Sequence, residues 1–311
     1  MNLKYTIFIL VIIAFLLQIF VVKQDAKLKE SNIPLRQTVA LSTFPLYDIA
    51  KNIAQDKLDI FMILPTGIDA HSYEPNPKQI IKLYKSDLVI YNGASLEPWI
   101  SKLEFKNKTI NMSKYVDLID LSHEHHHSDE ISIEGHHQDP HYWLSITNMQ
   151  KATKKITQEF INIDAKNKDF YLKNQQMYLV MLSNLDIQYK KNLESCRVRE
   201  IVTNHNAFSY LAQSYKFEVI SLLELSSDAK SDAKKMISII NEIKEHKVST
   251  IFYENFANTK TIEAIAKETK VSTDSLQPLV NITADEQEKN LSYEDIMREN
   301  LTKITKAMDC R

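Results

Sequence analysis

Apolar and polar positions follow two rhythms along this chain, and their order predicts its architecture. From residue 37, short β-rich runs alternate with stretches whose apolar residues fall three and four apart. "TVALST", "LDIFMIL" and "DLVIYN" read as strands, with helices over Tyr47–Ala54 and about Lys78–Lys85 between them. Strand, helix, strand, helix, strand is the pattern of a parallel sheet with crossover helices. The rhythm returns near residue 196 with "VREIVT", Phe208–Tyr215, "FEVIS", Ala229–Glu245, "VSTIFY" and Thr259–Thr269, and a terminal helix follows over Tyr293–Met308. Between the two there is no glycine or proline from Thr147 to Glu194. Leu172, Leu179, Leu182, Leu185, Tyr189 and Leu193 recur there at helical intervals, which predicts a long amphipathic helix broken near "NIDAKNKD".

The predicted fold is therefore α/β: two lobes with parallel sheets flanked by helices, joined by one long rigid backbone helix that resists hinge closure. The expected boundaries are an N-terminal lobe over 37–146, a linking helical segment over 147–195 and a C-terminal lobe over 196–311. Residues 1–22 differ in kind. Lys4 precedes an apolar run from Tyr5 to Val22, interrupted by Thr6 and Gln18. A charged start and a long apolar run read as an export signal. No small-x-small cleavage site follows, and the run is close to the lower limit for spanning a bilayer. It is a cleaved signal or an N-terminal anchor, with a buried core helix as the third reading. No cysteine lies near it, which argues against a lipid-anchored form. Residues 23–36 are polar, contain Pro34 and read as a tether. The expected location is periplasmic or at the cell surface, with anchoring to the inner membrane as one outcome.

Composition narrows the function by exclusion. A net charge of −2 over 311 residues gives no basic footprint for nucleic acid. The three glycines, Gly67, Gly93 and Gly135, cannot write a glycine-rich phosphate cradle. Cys196 and Cys310 lack any metal-ligand spacing, and in an oxidising compartment they form one disulfide or stay two separate buried thiols.

Seven of the ten histidines lie between His123 and Tyr142, in "HEHHHSDEISIEGHHQDPHY". As text, His123, Glu124 and His127 satisfy HExxH, but the flanks carry no apolar helical stripe, and that zinc-protease chemistry needs a helix. Residues 122–138 read instead as a His-rich, acidic loop, suited to loose metal capture or to no role at all. His141 stands apart, between the Asp139-Pro140 turn and the apolar Tyr142-Trp143-Leu144. His71 follows the strand "LDIFMILP", and His205 follows "VREIVT". In open α/β sheets ligands bind beyond the carboxyl ends of strands. Each of the three taken singly reads as a structural histidine; together they read as a metal site in the interlobe cleft. His246, in "KEHKVS", reads as a solvated helix-end residue.

At these residues the chain resembles the cluster A-I substrate-binding proteins of bacterial ABC transporters for zinc and manganese. "FPLYDIAKNIAQD", "LPTGIDAHSYEPNPKQI", "SDLVIYNGASLEPWISKL", "DPHYWLS" and "VTNHNAFSYLAQSYKFEVI" carry the resemblance in the family's order, across most of residues 38–221. It implies metal ligands at His71, His141 and His205, two lobes on a backbone helix, and a His-rich insertion where His123–His137 stands. It also implies a monomer that hands its ion to a membrane permease and performs no catalysis. One departure matters: the family commonly has a carboxylate in "LDPL", and here Gln277 stands in "SLQPL". The fourth metal position is left to water, Asp274 or a more distant carboxylate. Glu254, in "FYENF", resembles a family glutamate read as structural. Three imidazoles favour Zn²⁺ over Mn²⁺, which prefers oxygen. The alternatives are Mn²⁺ or another divalent ion on the same fold, and a zinc hydrolase with Glu74 as its base.

Overall fold

The computed structural model describes residues 17–18, 36–120, 138–223, 233–254 and 259–311. Met1–Arg36 and Gln37–Arg311 form separate compact units, and every element named below belongs to the second. The leader and tether readings (residues 1–22 and 23–36) fall almost wholly outside the described residues, as does nearly all of the His-rich loop at 122–138. Among the described residues, no helix is long and apolar enough to cross a membrane.

The first sheet holds β1 (Thr38–Leu41), β2 (Asp59–Met62), β3 (Leu88–Tyr91) and β4 (Lys108–Asn111), all parallel, in the order β2-β1-β3-β4. β1 and β3 are the central strands, and their almost fully buried, β-branched and leucine-rich runs suit strands covered on both faces. Crossover helices α1 (Phe44–Ala54) and α2 (Pro77–Tyr84) both carry proline in the first turn, at Pro45 and Pro77, where its missing N–H costs no helical hydrogen bond. Asn76 and Gln79 close a capping box at the start of α2. After β3 the chain turns at Gly93, with φ of 83°. A Cβ there would sit 1.9 Å from Asn111 Oδ1, so only glycine fits this turn.

The middle of the chain is a pair of helices. α3 (Ile146–Ile163) ends at Asp164, a short turn covers Ala165–Asn167, and α4 runs for 25 residues from Lys168 to Asn192. The break falls within the "NIDAKNKD" stretch and is held by buried Asp164, whose Oδ2 accepts from Tyr171 (2.5 Å) and from Asn167 (2.6 Å). α3 folds back along α4, and α4 packs both on α1 of the first lobe and on the terminal helix of the second.

The second sheet repeats the first in strand order. α5 (Ser209–Tyr215), α6 (Ala233–Glu245) and α7 (Lys260–Thr269) alternate with β5 (Glu200–His205), β6 (Glu218–Leu223), β7 (Thr250–Tyr253) and β8 (Ser272–Ser275), all parallel in the order β6-β5-β7-β8. α8 (Ala284–Glu288) and α9 (Tyr293–Ala307) close the chain. Each sheet thus has a fourth, edge strand that periodicity did not announce. "KTIN" and "STDS" are four residues long and polar, so their pairing is decided by the neighbouring strand.

One apolar core runs through both lobes, from Leu41 and Ile49 through Trp143, Phe160, Tyr171 and Leu185 to Phe252, Tyr293 and Met297. Smaller cores fill the outer faces, around Leu83 and Trp99 in the first lobe and around Ile239, Ile251 and Ile265 in the second. Buried Asp48 of α1 accepts from the Tyr178 hydroxyl of α4 at 2.7 Å and from the Tyr293 amide of α9 at 3.3 Å, pinning three helices at one carboxylate. Burial raises the Asp48 pKa, against the pull of those two donors. Cys196 and Cys310 are joined in a disulfide, which ties the end of α9 to the approach to β5.

Candidate metal centre

In the second sheet β5 lies between β6 and β7, so the crossovers leave β5 on opposite sides and a crevice opens at the carboxyl ends of β5 and β7. His205 ends β5, and Glu254 directly follows β7. Because Thr203 is in register with Phe252, these two side chains come off adjacent strands at the same level. The Glu254 carboxylate lies against His205 Nδ1. Asn204 Oδ1 accepts the Glu254 amide (3.2 Å), and Thr203 Oγ1 donates to the His205 carbonyl (2.8 Å), which fixes both backbones.

His141 is set by its own turn. Asp139 Oδ1 accepts from both the His141 amide (2.9 Å) and His141 Nδ1 (2.8 Å). A carboxylate on Nδ1 keeps the proton there and leaves Nε2 as a lone-pair donor, the arrangement usual for metal-bound imidazole. The turn is clamped from both lobes. Asn92 donates to the Pro140 carbonyl (3.1 Å) and accepts from the Tyr142 hydroxyl (2.8 Å), while Tyr210 of α5 donates to the Asp139 carbonyl (2.7 Å). His71 uses the same local device as His141, since Asp69 Oδ1 accepts the His71 amide at 2.9 Å. An Asp two residues before a His, its carboxylate folded onto the backbone, appears twice.

The three rings converge. The centroid of His141 lies 5.6 Å from that of His71 and 5.4 Å from that of His205. His141 and His205 are 1% and 3% exposed, whereas His71 is half-buried. The Nε2 atoms of His71 and His205 are buried without a hydrogen-bond partner. A buried unpaired polar atom costs free energy, and here a cation among the three rings is the partner that would remove the cost. The His71 pKa is lowered to about 4, first by burial and then by the neighbouring His141. Burial also acts to lower that of His205, but the Glu254 carboxylate, with Asp69 and Asp139 beyond it, raises it above the ordinary value. Three carboxylates thus surround three imidazoles, a field that favours a dication.

Other sequence candidates are not brought to the rings. Asp274 lies on β8, level with Phe252, and its Oδ1 takes the Ser275 amide at 2.8 Å. β8 is two strands from β5, about 10 Å at ordinary strand spacing. Gln277 is committed to its own turn, donating to both carboxylate oxygens of Glu286 at 3.1 and 2.9 Å. Glu74 is exposed and paired with Lys102. His246 follows α6, where it meets Glu200 (3.4 Å) and Glu242 (3.3 Å). Sequence reasoning did not find Asp69 and Asp139, although the repeated Asp-x-His spacing was the signal for both. It gave Glu254 a structural role without its ring contact; the signal was its place just after β7, beside the end of β5.

The family model described as "zinc-uptake complex component A, periplasmic" matches residues 39–307. The high-affinity zinc uptake system protein ZnuA of Bacillus subtilis is 33% identical over 270 residues, covering 85% of either chain. The manganese ABC transporter substrate-binding lipoprotein PsaA of Streptococcus pneumoniae is 30% identical over 280 residues, covering 85% of this chain and 86% of its own. Among solved structures, the metal-dependent lipoprotein YcdH from Bacillus subtilis superposes with a TM-score of 0.75 at 32% identity, over 88% of this chain and 99% of the other. The family model is described as periplasmic, and PsaA and YcdH as lipoproteins.

Proposed function

The chain belongs to the ZnuA family of periplasmic zinc-uptake components, and from that membership we propose that it captures Zn²⁺ outside the inner membrane and delivers it to the permease of an ABC transporter. The ion is the cargo, held by His71, His141 and His205, and no substrate is transformed. The observation that carries the reading is the convergence of three imidazoles whose outer nitrogens, on His141 and His205, face carboxylates. Imidazole nitrogens held in place before the ion arrives suit Zn²⁺, which accepts three protein ligands and leaves a fourth position for water or a carboxylate. Mn²⁺ is the second reading, because a manganese-binding relative has nearly the same identity to this chain. The ligand chemistry weighs against it, since Mn²⁺ favours oxygen donors. A hydrolase reading loses its base, as Glu74 is held at the surface by Lys102. Export through the apolar run of residues 5–22, which is then cleaved or retained as an anchor, belongs to the same reading, as does a monomeric state.

Calorimetry on chelator-stripped protein tests it. One tight Zn²⁺ per chain is expected, with Mn²⁺ binding orders of magnitude weaker. Equal or tighter Mn²⁺ binding would hand the cargo to the second reading.

A further inference from the structure

His71 is held differently from the other two histidines, and the difference points across the lobes. Two amides past β2 keep the sheet's ladder, Ile63 to the Leu41 carbonyl (2.8 Å) and Leu64 to that of Ser42 (3.3 Å). Beyond them the loop Pro65–Ile68 turns to the last segment of the chain. The Asn281 side-chain amide donates one N–H to the Pro65 carbonyl (2.7 Å) and the other to the Ile68 carbonyl (2.8 Å). The Gly67 amide donates to the Ile282 carbonyl (3.0 Å), and Thr66 Oγ1 donates to Gln287 (2.7 Å). Ile68 leads directly into Asp69, whose carboxylate receives the His71 amide.

Asn281 is itself immobilised. It is fully buried, and its Oδ1 accepts the Ile282 amide at 2.8 Å. The turn before it is fastened to the first lobe by Trp143 Nε1 on the Pro278 carbonyl (2.7 Å) and the Phe44 amide on that of Val280 (3.2 Å). Leu279 takes a φ of 61° within that turn, a left-handed conformation unfavourable for leucine, so the surrounding bonds hold it there. A primary amide presents two N–H donors and one acceptor in a plane, and all three are used.

We infer that Asn281 is a positioning residue for His71: one side-chain amide of the C-terminal segment sets the loop that carries the first histidine of the N-terminal lobe. The inference rests on the reading of His71 as a zinc ligand. Asn281→Asp is the discriminating change. It is nearly isosteric and keeps the acceptor for Ile282, but it turns an oxygen toward two carbonyls in place of two donors.

Zinc affinity and dissociation rate are measured on the full chain by chelator competition for the wild type, Asn281→Asp, His71→Ala and the double variant, with thermal melting as the check of folding. Asn281→Asp should weaken zinc by ~10–100-fold, as for other groups that orient a ligand, mostly through faster release. Added to His71→Ala it should cost less than about 2-fold, because the ligand it positions is gone. Unchanged affinity in Asn281→Asp, or an equal loss in both backgrounds, overturns the inference while leaving the zinc reading intact. An unaffected His71→Ala overturns the ligand role of His71 and this inference with it. Should Asn281→Asp fail to fold, Thr66→Val removes one surface bond of the same clasp; a loss of about 2–10-fold that vanishes in the His71→Ala background supports the inference, and no loss overturns it.

Discussion

The two lobes have the same strand order and put the same crevice to different uses. In the C-terminal lobe the carboxyl ends of β5 and β7 carry His205 and Glu254, so the switch point supplies a ring and its carboxylate directly. In the N-terminal lobe the equivalent crevice, between β1 and β3, is filled by a buried polar network. The Asn92 amide donates to Ser42 Oγ (3.1 Å) and Glu97 Oε1 (2.7 Å), and the Gly93 amide donates to Glu97 Oε2 (3.0 Å). Burial raises the pKa of Glu97, against those donors. The network does not reach the cleft itself; its Asn92 holds the turn that does, at Pro140 and Tyr142. One lobe offers an imidazole from its sheet, and the other offers two from loops that must be fastened. Identical topology therefore fixes where a site forms without fixing which atoms face it.

The largest expected effect sharpens that contrast. His205→Ala and His141→Ala should each weaken zinc binding by more than the ~10–100-fold typical of an orienting partner. Each should also lower the melting temperature of the apo protein, because Glu254 or Asp139 is left buried without its ring. His71→Ala should lose affinity with a smaller loss of melting temperature, since among the described residues no carboxylate lies on its ring and Asp69 is itself only partly buried. Calorimetry and melting on the three variants decide it. If His71→Ala destabilised the apo protein as much as His205→Ala, the distinction between a sheet-borne and a loop-borne ligand would fail.

Next in size is the covalent tie, which only the C-terminal lobe carries. Reducing Cys196–Cys310, or replacing both by serine, should cost roughly 2–4 kcal/mol of stability, as for other disulfides closing long loops. Zinc affinity should change little, because β5 is placed by β6 and β7 as well. A large loss of affinity at preserved folding would show that the bond aims His205 and does more than stabilise.

The lobes were legible in the sequence wherever an element's own residues decide its structure. β1, β3, β5 and β7 are apolar runs buried in the sheet centres, and α9 announces itself by period and by its Ser292 cap. β4 and β8 were not legible, because "KTIN" and "STDS" become strands only when β3 and β7 offer them an edge. The same division runs through the site. His71, His141 and His205 could be picked out by their place after strands or beside a fixed turn. Asn92 and Asn281 could not, since each acts on residues about 50 or more than 200 positions away. A buried asparagine gives no local sign of what it holds.

A smaller effect separates His71 from His205 by pH. His205 has its pKa raised, so its ion pair with Glu254 stabilises the apo fold fully below the unfolded value of about 6.5 and loses that contribution as pH rises through the folded value. His71, lowered to about 4, works the other way: the fold loses stability as pH falls from about 6.5 toward 4, where the unfolded chain binds the proton more readily. The proton on His205 is therefore the one retained to higher pH, compared with that on His71. Affinity should rise about tenfold per pH unit from pH 6.5 up to the His205 value and level off above it. Glu254→Gln should weaken zinc ~10–100-fold at high pH and move the levelling point downward, because burial is then opposed only by the more distant Asp69 and Asp139. A pH profile unchanged by Glu254→Gln would remove Glu254 from the account.

The smallest effect is expected from the region that looks richest in ligands. The stretch His123–His137 carries six imidazoles and several acids, and its binding should be weak and multiple, because ordering it around one ion costs conformational entropy for every residue fixed. Its ends are better placed than its interior to predict what a deletion does. Asp120 and Gln138 form an antiparallel bridge, and the Asp139 amide donates to the Ile119 carbonyl at 3.0 Å. The chain is thus closed at the base of the insertion, and loop-closure entropy varies only slowly with the length above it. Asp139, Pro140 and His141 keep their own supports in Asn92, Tyr142 and Tyr210, none of which lies in the insertion. Removing Glu124–Gly135 should lower the number of zinc ions bound and leave the tightest dissociation constant within about 2-fold, the scale of a change in distant, independent residues. Titration calorimetry of the deletion variant beside His205→Ala separates the two sets of histidines. Loss of the tight event on deleting the loop, with His205→Ala unaffected, would move the primary site out of the cleft and into the insertion.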